Sequence, residues 1–213
     1  MRNEMTDNKK TMKDKDFCTA VAERFSGDAT ATKLAPLVAE FLELLGTEHF
    51  TPMMELSVKN GESPVVFLNF WKINWRKEKA TRELIVNATC STKTAGRKLT
   101  EHFVSGGNKV TPAMCDYLYS VIGHPGSFPK LIQMLSKRAK QKSSFYDRNL
   151  IIGKNLTLLF RMVFDTLLHE TFDNGAVVHL SDLGTFENSY KIGRKNATND
   201  RPPGYFQFTP NFP

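Results

Sequence analysis

Val177-Val178-His179-Leu180-Ser181-Asp182-Leu183-Gly184-Thr185-Phe186-Glu187 is the stretch on which the reading of this chain turns. It is a β run interrupted by one glycine. Val178, Leu180 and Leu183 flank a step in the alternation, and Gly184 stands where a strand must bend or admit another backbone. A long helical pattern feeds into it, from about Asn155 to Thr171. Leu156, Leu159, Phe160, Val163, Phe164, Leu167 and Leu168 recur at i, i+3, i+4, i+7, i+8 spacing, a wide stripe suited to burial. Asp173-Asn174-Gly175 is its stop signal. Strands are predicted over 176–192, then a polar, Pro-containing connection, then the strand Tyr205-Phe206-Gln207-Phe208. An earlier helix opens at Phe128-Pro129, with Leu131, Ile132 and Leu135 on one face and Lys137, Arg138, Lys140 and Lys142 following.

The first half repeats this order in faded form. Phe17, Ala20, Val21 and Phe25 mark a short helix, and Ser26-Gly27-Asp28 a turn. Leu34, Leu37, Val38, Phe41, Leu42 and Leu45 mark a second helix, ended by Gly46, with Pro36 tolerable only near its first turn. Thr47 to Glu62 reads as an irregular insertion. Val65 to Trp75 then reads as strand and Leu84 to Ala88 as its return. Val65, Phe67, Phe70 and Ile73 correspond to Val178, Leu180, Leu183 and Phe186 at one offset of 113 residues, with Trp71 in place of Gly184. Between the halves, Thr111 caps a helix with Pro112 at its first position and Met114, Leu118, Val121 and Ile122 on its apolar face; Gly123 ends it.

The strand–glycine–strand segment resembles the signature of the bacterial HU / integration host factor family, DNA-bending proteins that work as intertwined dimers. Gly193-Arg194-Lys195-Asn196 resembles the start of that family's DNA-embracing arm. Ala95-Gly96-Arg97-Lys98-Leu99, followed by Phe103, resembles the start of its last helix. The resemblance implies an α+β fold of two HU/IHF-like units, each a helix pair on a small antiparallel sheet, joined as an intrachain pseudo-dimer. Residues 1–15 are then a flexible tail, 16–104 the divergent first half, 105–127 a linker with a short helix, and 128–213 the clearer second half. It also implies a body held by Phe41, Leu45, Phe160, Val163, Phe164 and Leu167.

The function implied is architectural binding of double-stranded DNA, with arms in the minor groove and a proline wedge at the arm tip. Lys191, Arg194, Lys195 and Arg201, with Pro202 as the wedge, lie in the second half; Arg76, Lys77, Lys79 and Arg82 lie around the first hairpin. Arg-Pro-Pro-Gly also serves as plain turn chemistry, and the Arg76–Arg82 cluster also serves as a charged edge that blocks sheet aggregation. Both arms are short against the family, and the family's last helix would begin after Phe208-Thr209-Pro210. The alternative is therefore the same fold reused as a structural subunit of a phage or virus particle, such as a neck or tail ring, with other assembly proteins or further copies as partners. Nucleoid-associated cytoplasmic localisation follows from the first reading, and the virion from the second.

The bulk numbers agree with an anionic partner without demanding one. The 213 residues carry 29 basic and 22 acidic side chains, a net charge of +7. Three separated cysteines (Cys18, Cys90, Cys115) make no C-x-x-C pair, so neither a disulfide framework nor a thiolate zinc site is indicated. No apolar run reaches a membrane-spanning length. The five histidines are scattered, His169-Glu170 lacks the second histidine of H-E-x-x-H, and no phosphate-binding glycine loop or nucleophile elbow is present. No cofactor is implied, and an enzyme is not the expectation.

Overall fold

The chain runs β1 (Thr11–Lys13), α1 (Asp14–Phe25), α2 (Asp28–Leu44), π-type turns at Leu45–Phe50, α3 (Thr51–Asn60), β2 (Val65–Phe67), β3 (Trp71–Lys77), β4 (Leu84–Cys90), α4 (Lys93–Ser105) and α5 (Pro112–Ile122). It continues with α6 (Gly153–Leu168), π-type turns at His169–Asp173, β5 (Val177–Leu180), β6 (Gly184–Ser189) and β7 (Tyr205–Pro210). This computed structural model describes residues 10–25, 28–90, 93–122, 133, 137, 153–189 and 205–212. The fold is α+β, with one sheet in the order β2-β3-β4 and another in the order β1-β5-β6-β7. All pairings are antiparallel except β1 on β5.

The two sheets carry one hairpin geometry twice. Val65 pairs with Ile73 and Phe67 with Trp71; Val178 pairs with Phe186 and Leu180 with Gly184, each 113 residues on. The turn between them is closed by the same bond in both: Phe70 N–H donates to the Phe67 carbonyl at 3.2 Å, and Leu183 N–H to the Leu180 carbonyl at 3.1 Å. In the third strand the correspondence shifts. Ile73 pairs with Ala88 and Phe186 with Phe208, an offset of 120 for the second partner. The second β3–β4-type connection is therefore seven residues longer than the first. Both long helices, α2 and α6, also end in π-type turns before their hairpins.

Period-two burial makes one face of each sheet apolar. Trp71 and Ile73 of β3 point inward, as do Phe186 of β6 and Phe206 and Phe208 of β7. These faces interleave in a single core. Trp71 lies 5.6 Å from Phe186, 5.4 Å from Phe206 and from Phe208, and 6.4 Å from Phe164 between ring centroids. Phe50 meets Phe208 at 6.0 Å, and Phe103 meets Phe172 at 4.9 Å. Phe41, Leu45, Phe160, Val163, Phe164 and Leu167 are all buried in this cluster. Phe41 on α2 meets Phe160 on α6 edge-to-face at 5.8 Å. The main neighbours of α6 are nevertheless α1 and α5, and α2 packs chiefly on α1.

Several local expectations are corrected. Residues 10–15 are not a flexible tail. β1 covers the outer edge of β5, and the Val177 N–H donates to the Lys10 carbonyl at 2.9 Å. The Asp14 carboxylate then accepts from Ser181 N–H at 2.9 Å and Ser181 Oγ at 2.6 Å, fixing α1 to the β5–β6 turn. The stretch 47–62 is not irregular, since it holds π-type turns and α3, closed by Gly61 at φ +69°. Pro36 lies inside α2, which begins at Asp28, so the helix forgoes one backbone bond there. The expected strand 65–75 is a hairpin, because Leu68 and Asn69 adopt φ of 49° and 55°.

Gly46 does not stop α2. A Cβ there would lie 2.4 Å from the Asp182 carbonyl oxygen, so the missing side chain lets the end of α2 touch the β5–β6 turn. Gly184, at φ +141°, would place a Cβ 2.2 Å from the Thr209 carbonyl oxygen, which is the close backbone approach its position in the strand implied. The Thr111 cap forms as expected: its Oγ1 accepts from Met114 N–H at 3.3 Å, and Met114, Leu118 and Ile122 are buried.

Candidate nucleic-acid interface

The outward faces of the two sheets are polar. Along β3 and β4 the outward cross-strand pairs are Lys72 with Thr89, Asn74 with Asn87 and Arg76 with Ile85. Along β6 and β7 they are Thr185 with Thr209, Glu187 with Gln207 and Ser189 with Tyr205. His179 of β5 shares a 3.0 Å hydrogen bond with Thr185 Oγ1 on this face. Such a surface, rich in amides, hydroxyls and a few cations, suits hydrogen bonding to phosphate and sugar oxygens.

The β3–β4 hairpin carries the first basic group. Arg76 and Lys77 end β3, Lys79 and Arg82 sit in the turn, and all four are exposed. The turn is closed by Glu78 N–H donating to the Glu83 carbonyl at 2.9 Å and Arg82 N–H to the Glu78 carbonyl at 3.0 Å. Arg82 takes φ +61° there. Thr81 Oγ1 donates to Glu78 Oε2 at 3.0 Å, which holds that carboxylate inside the turn. Residues 76–83 carry four cations and two carboxylates, a local charge of +2. Among the described residues, none of the four cations is in an ion pair, so each is available to a phosphate.

Trp75 anchors this hairpin and does not offer a free ring for base stacking. Its Nε1–H donates to Ser57 Oγ at 2.7 Å and to the Glu62 carbonyl at 3.2 Å. Its backbone N–H donates to Ser63 Oγ at 3.1 Å. The α3 segment therefore braces the base of the hairpin. Lys191, Arg194, Lys195, Arg201 and Pro202 lie outside the described residues, as do Arg138, Lys140 and Lys142; Lys137 is helical and exposed.

The electrostatic contrast lies elsewhere on the molecule. A cleft of about 870 Å³ is lined by Asp14, Glu40, Glu43 and Asp182, with Cys18, Ser181 and Thr47 among its other walls. Burial raises the Asp182 carboxyl above its ordinary value, and the Asp14 and Glu43 charges raise it further. Burial likewise pushes the Cys18 thiol up to about 12, so it is no nucleophile. A polyanion is repelled from this side and directed to the hairpin and sheet faces. The sequence carried no sign of the acidic cleft, because its four carboxylates come from α1, α2 and a turn 130 residues away.

A second cleft, of about 780 Å³, opens between the edges of β4 and β7. Trp71, Lys72, Asn87, Thr89, Cys90, Gly96, Tyr205 and Gln207 are among its walls. Trp71 Nε1 is buried here with no hydrogen-bond acceptor. An orphaned donor of this kind costs roughly 1–3 kcal/mol. Strand edges brought together only by the tertiary fold leave no local sequence signal, so this cleft was also unforeseen.

Among the described residues no group of three histidine, cysteine or acidic side chains is placed to hold a metal ion. Among them, too, no helix is long and apolar enough to cross a membrane. Comparison of the chain with protein-family models, with curated proteins and with solved structures finds no match.

Proposed function

We propose that this chain is a non-enzymatic, architectural DNA-binding protein of HU/IHF-like design, its two related units folded into an intrachain pseudo-dimer. The observation that carries the reading is the twice-used hairpin register, in which Val65–Ile73 and Val178–Phe186 pair identically 113 residues apart. The interleaved aromatic core supports it, since Trp71 of one unit is walled by Phe164, Phe186, Phe206 and Phe208 of the other. In this reading the DNA lies against the basic hairpins. Arg76, Lys77, Lys79 and Arg82 contact phosphates on one side; Lys191, Arg194, Lys195 and Arg201, with Pro202 as a wedge, act on the other.

The test is fluorescence anisotropy of a labelled duplex across a salt series. Four phosphate contacts from the first hairpin alone imply a loss of about 100-fold in affinity between ~50 and ~200 mM salt. Neutralising Arg76, Lys77, Lys79 and Arg82 together should flatten that slope. Absence of duplex binding at low salt refutes the reading.

A second reading, a structural subunit of a particle or ring, is favoured by α3. This helix has no counterpart between α6 and β5, where only Asn174–Ala176 intervene after the π-type turns. It presents Leu56 at 57% exposure, near the edge strand β2, whose Val66 is 50% exposed. Size-exclusion chromatography with light scattering tests it: self-association or ring formation supports assembly, and a strict monomer at high concentration opposes it.

A further inference from the structure

We propose that the cleft between β4 and β7 binds a nucleotide, a planar hydrogen-bonding base carrying a phosphate, presented either free or as an unstacked residue of a strand. The volume of about 780 Å³ falls within the range of small-ligand sites, which are roughly 300–1,000 Å³. Its walls combine what such a ligand requires. Asn87 and Gln207 bring two side-chain amides, one from each sheet, able to give and accept hydrogen bonds at a base edge. Lys72 brings a positive charge for the phosphate, and Tyr205 an aromatic surface. None of the described wall residues is a carboxylate, in contrast to the cleft at Asp14 and Asp182. Glu187 is the nearest acidic neighbour in the sheet register, opposite Gln207 and outside the walls.

Trp71 supplies an independent observation. It is 1% exposed, lines this cleft, and its Nε1–H has no acceptor. Buried polar groups are nearly always satisfied, and a lone donor at the wall of an open cleft indicates that the acceptor comes from a ligand. Gly96 at the wall of the cleft keeps α4 close to Cys90, since a Cβ there would lie 2.8 Å from the Cys90 Sγ. The α4 backbone thus closes one end of the cleft while leaving its polar side open. The inference stands apart from the architectural reading, because hairpin cations and cleft amides are different residues on different parts of the sheets.

The experiment is isothermal titration calorimetry of the full chain with the four deoxynucleoside 5′-monophosphates, an eight-residue single-stranded oligonucleotide, and inorganic phosphate. The same preparations are tested for duplex binding by anisotropy. Saturable binding of a monophosphate, weakened about tenfold or more by Asn87→Leu, Gln207→Leu or Lys72→Gln, supports a free nucleotide. Binding of the oligonucleotide alone, weakened by the same changes, supports a strand-borne one. If a leucine variant loses its near-ultraviolet circular dichroism, Asn87→Asp and Gln207→Glu carry the same comparison with side-chain shape kept. Binding by neither probe, binding indifferent to all these variants, or equal competition by inorganic phosphate overturns the inference. Duplex binding that survives such a result leaves the architectural reading intact, and nucleotide binding without duplex binding does the reverse.

Discussion

Replacing Gly46 by alanine sets two effects of opposite sign against each other. Gly46 lies in helical backbone, where alanine is favoured over glycine by about 1 kcal/mol. Helix propensity alone therefore makes Gly46→Ala a stabilising change. The tertiary contact says otherwise. The new Cβ would lie 2.4 Å from the Asp182 carbonyl oxygen, 2.5 Å from its Cβ and 2.9 Å from its carbonyl carbon. Two of those three atoms are backbone, and the turn carrying them is fixed by the Asp14–Ser181 bonds, so neither side yields by a rotamer change. Overpacking of this kind costs about 1–3 kcal/mol, and a rigid backbone overlap belongs at the upper end. The net expectation is a loss of about 2 kcal/mol. For a chain of this size that is a fall in Tm of roughly 4–8 °C, or a urea midpoint lower by about 0.7 M. Gly61→Ala is the control: its φ of +69° is strained for alanine, but no atom lies within 4 Å of the added Cβ. It should cost about 1 kcal/mol from backbone conformation alone. A Gly46→Ala protein as stable as the parent, or more stable, refutes the close contact between α2 and the β5–β6 turn.

Gly184→Ala combines a φ of +141° with a Cβ 2.2 Å from the Thr209 carbonyl, so both effects act together; denaturant unfolding should show a loss above about 3 kcal/mol. Trp75→Phe removes the Nε1–H bonds to Ser57 and Glu62 and should cost about 1 kcal/mol, with faster amide exchange over residues 75–83 as the local readout. Asp182→Asn should stabilise the protein at pH 7. The Asp182 carboxyl is raised by burial and by Asp14 and Glu43. Its contribution to stability is thus complete below the ordinary aspartate value and declines as pH rises through the raised one. The advantage of asparagine, measured as ΔTm against pH, should vanish below about pH 4; an advantage that persists there refutes the assigned cause.

What was legible in the sequence is local periodicity, and what was not is the meeting of distant segments. The stripe at Leu159, Phe160, Val163, Phe164 and Leu167 identified a buried helix because its spacing is fixed by helical geometry. The hairpin correspondence at an offset of 113 was visible because both copies keep large apolar residues at the same strand positions. Gly46 was misread because a glycine near a helix end signals a stop when nothing is known of Asp182, 136 residues away. β1 was misread because Thr11, Met12 and Lys13 have no pattern of their own and become a strand only by pairing with β5. Of the candidate site, Arg76, Lys77, Lys79 and Arg82 do gather on one hairpin, as their closeness in the sequence implied. The cleft at Lys72, Asn87 and Gln207 draws on two sheets and left no local trace.

The shift from an offset of 113 to one of 120 has a consequence for how the molecule can differ from an assembly of identical chains. Two equal subunits must carry equal loops, because one gene writes both. Here the paired hairpins are spelled separately within one polypeptide, and the second has gained seven residues that the first lacks. The same independence lets α3 brace only the first hairpin and lets tryptophan stand at 71 where glycine stands at 184. The molecule therefore has a front and a back built into its primary structure, and whatever it grips is held in one orientation.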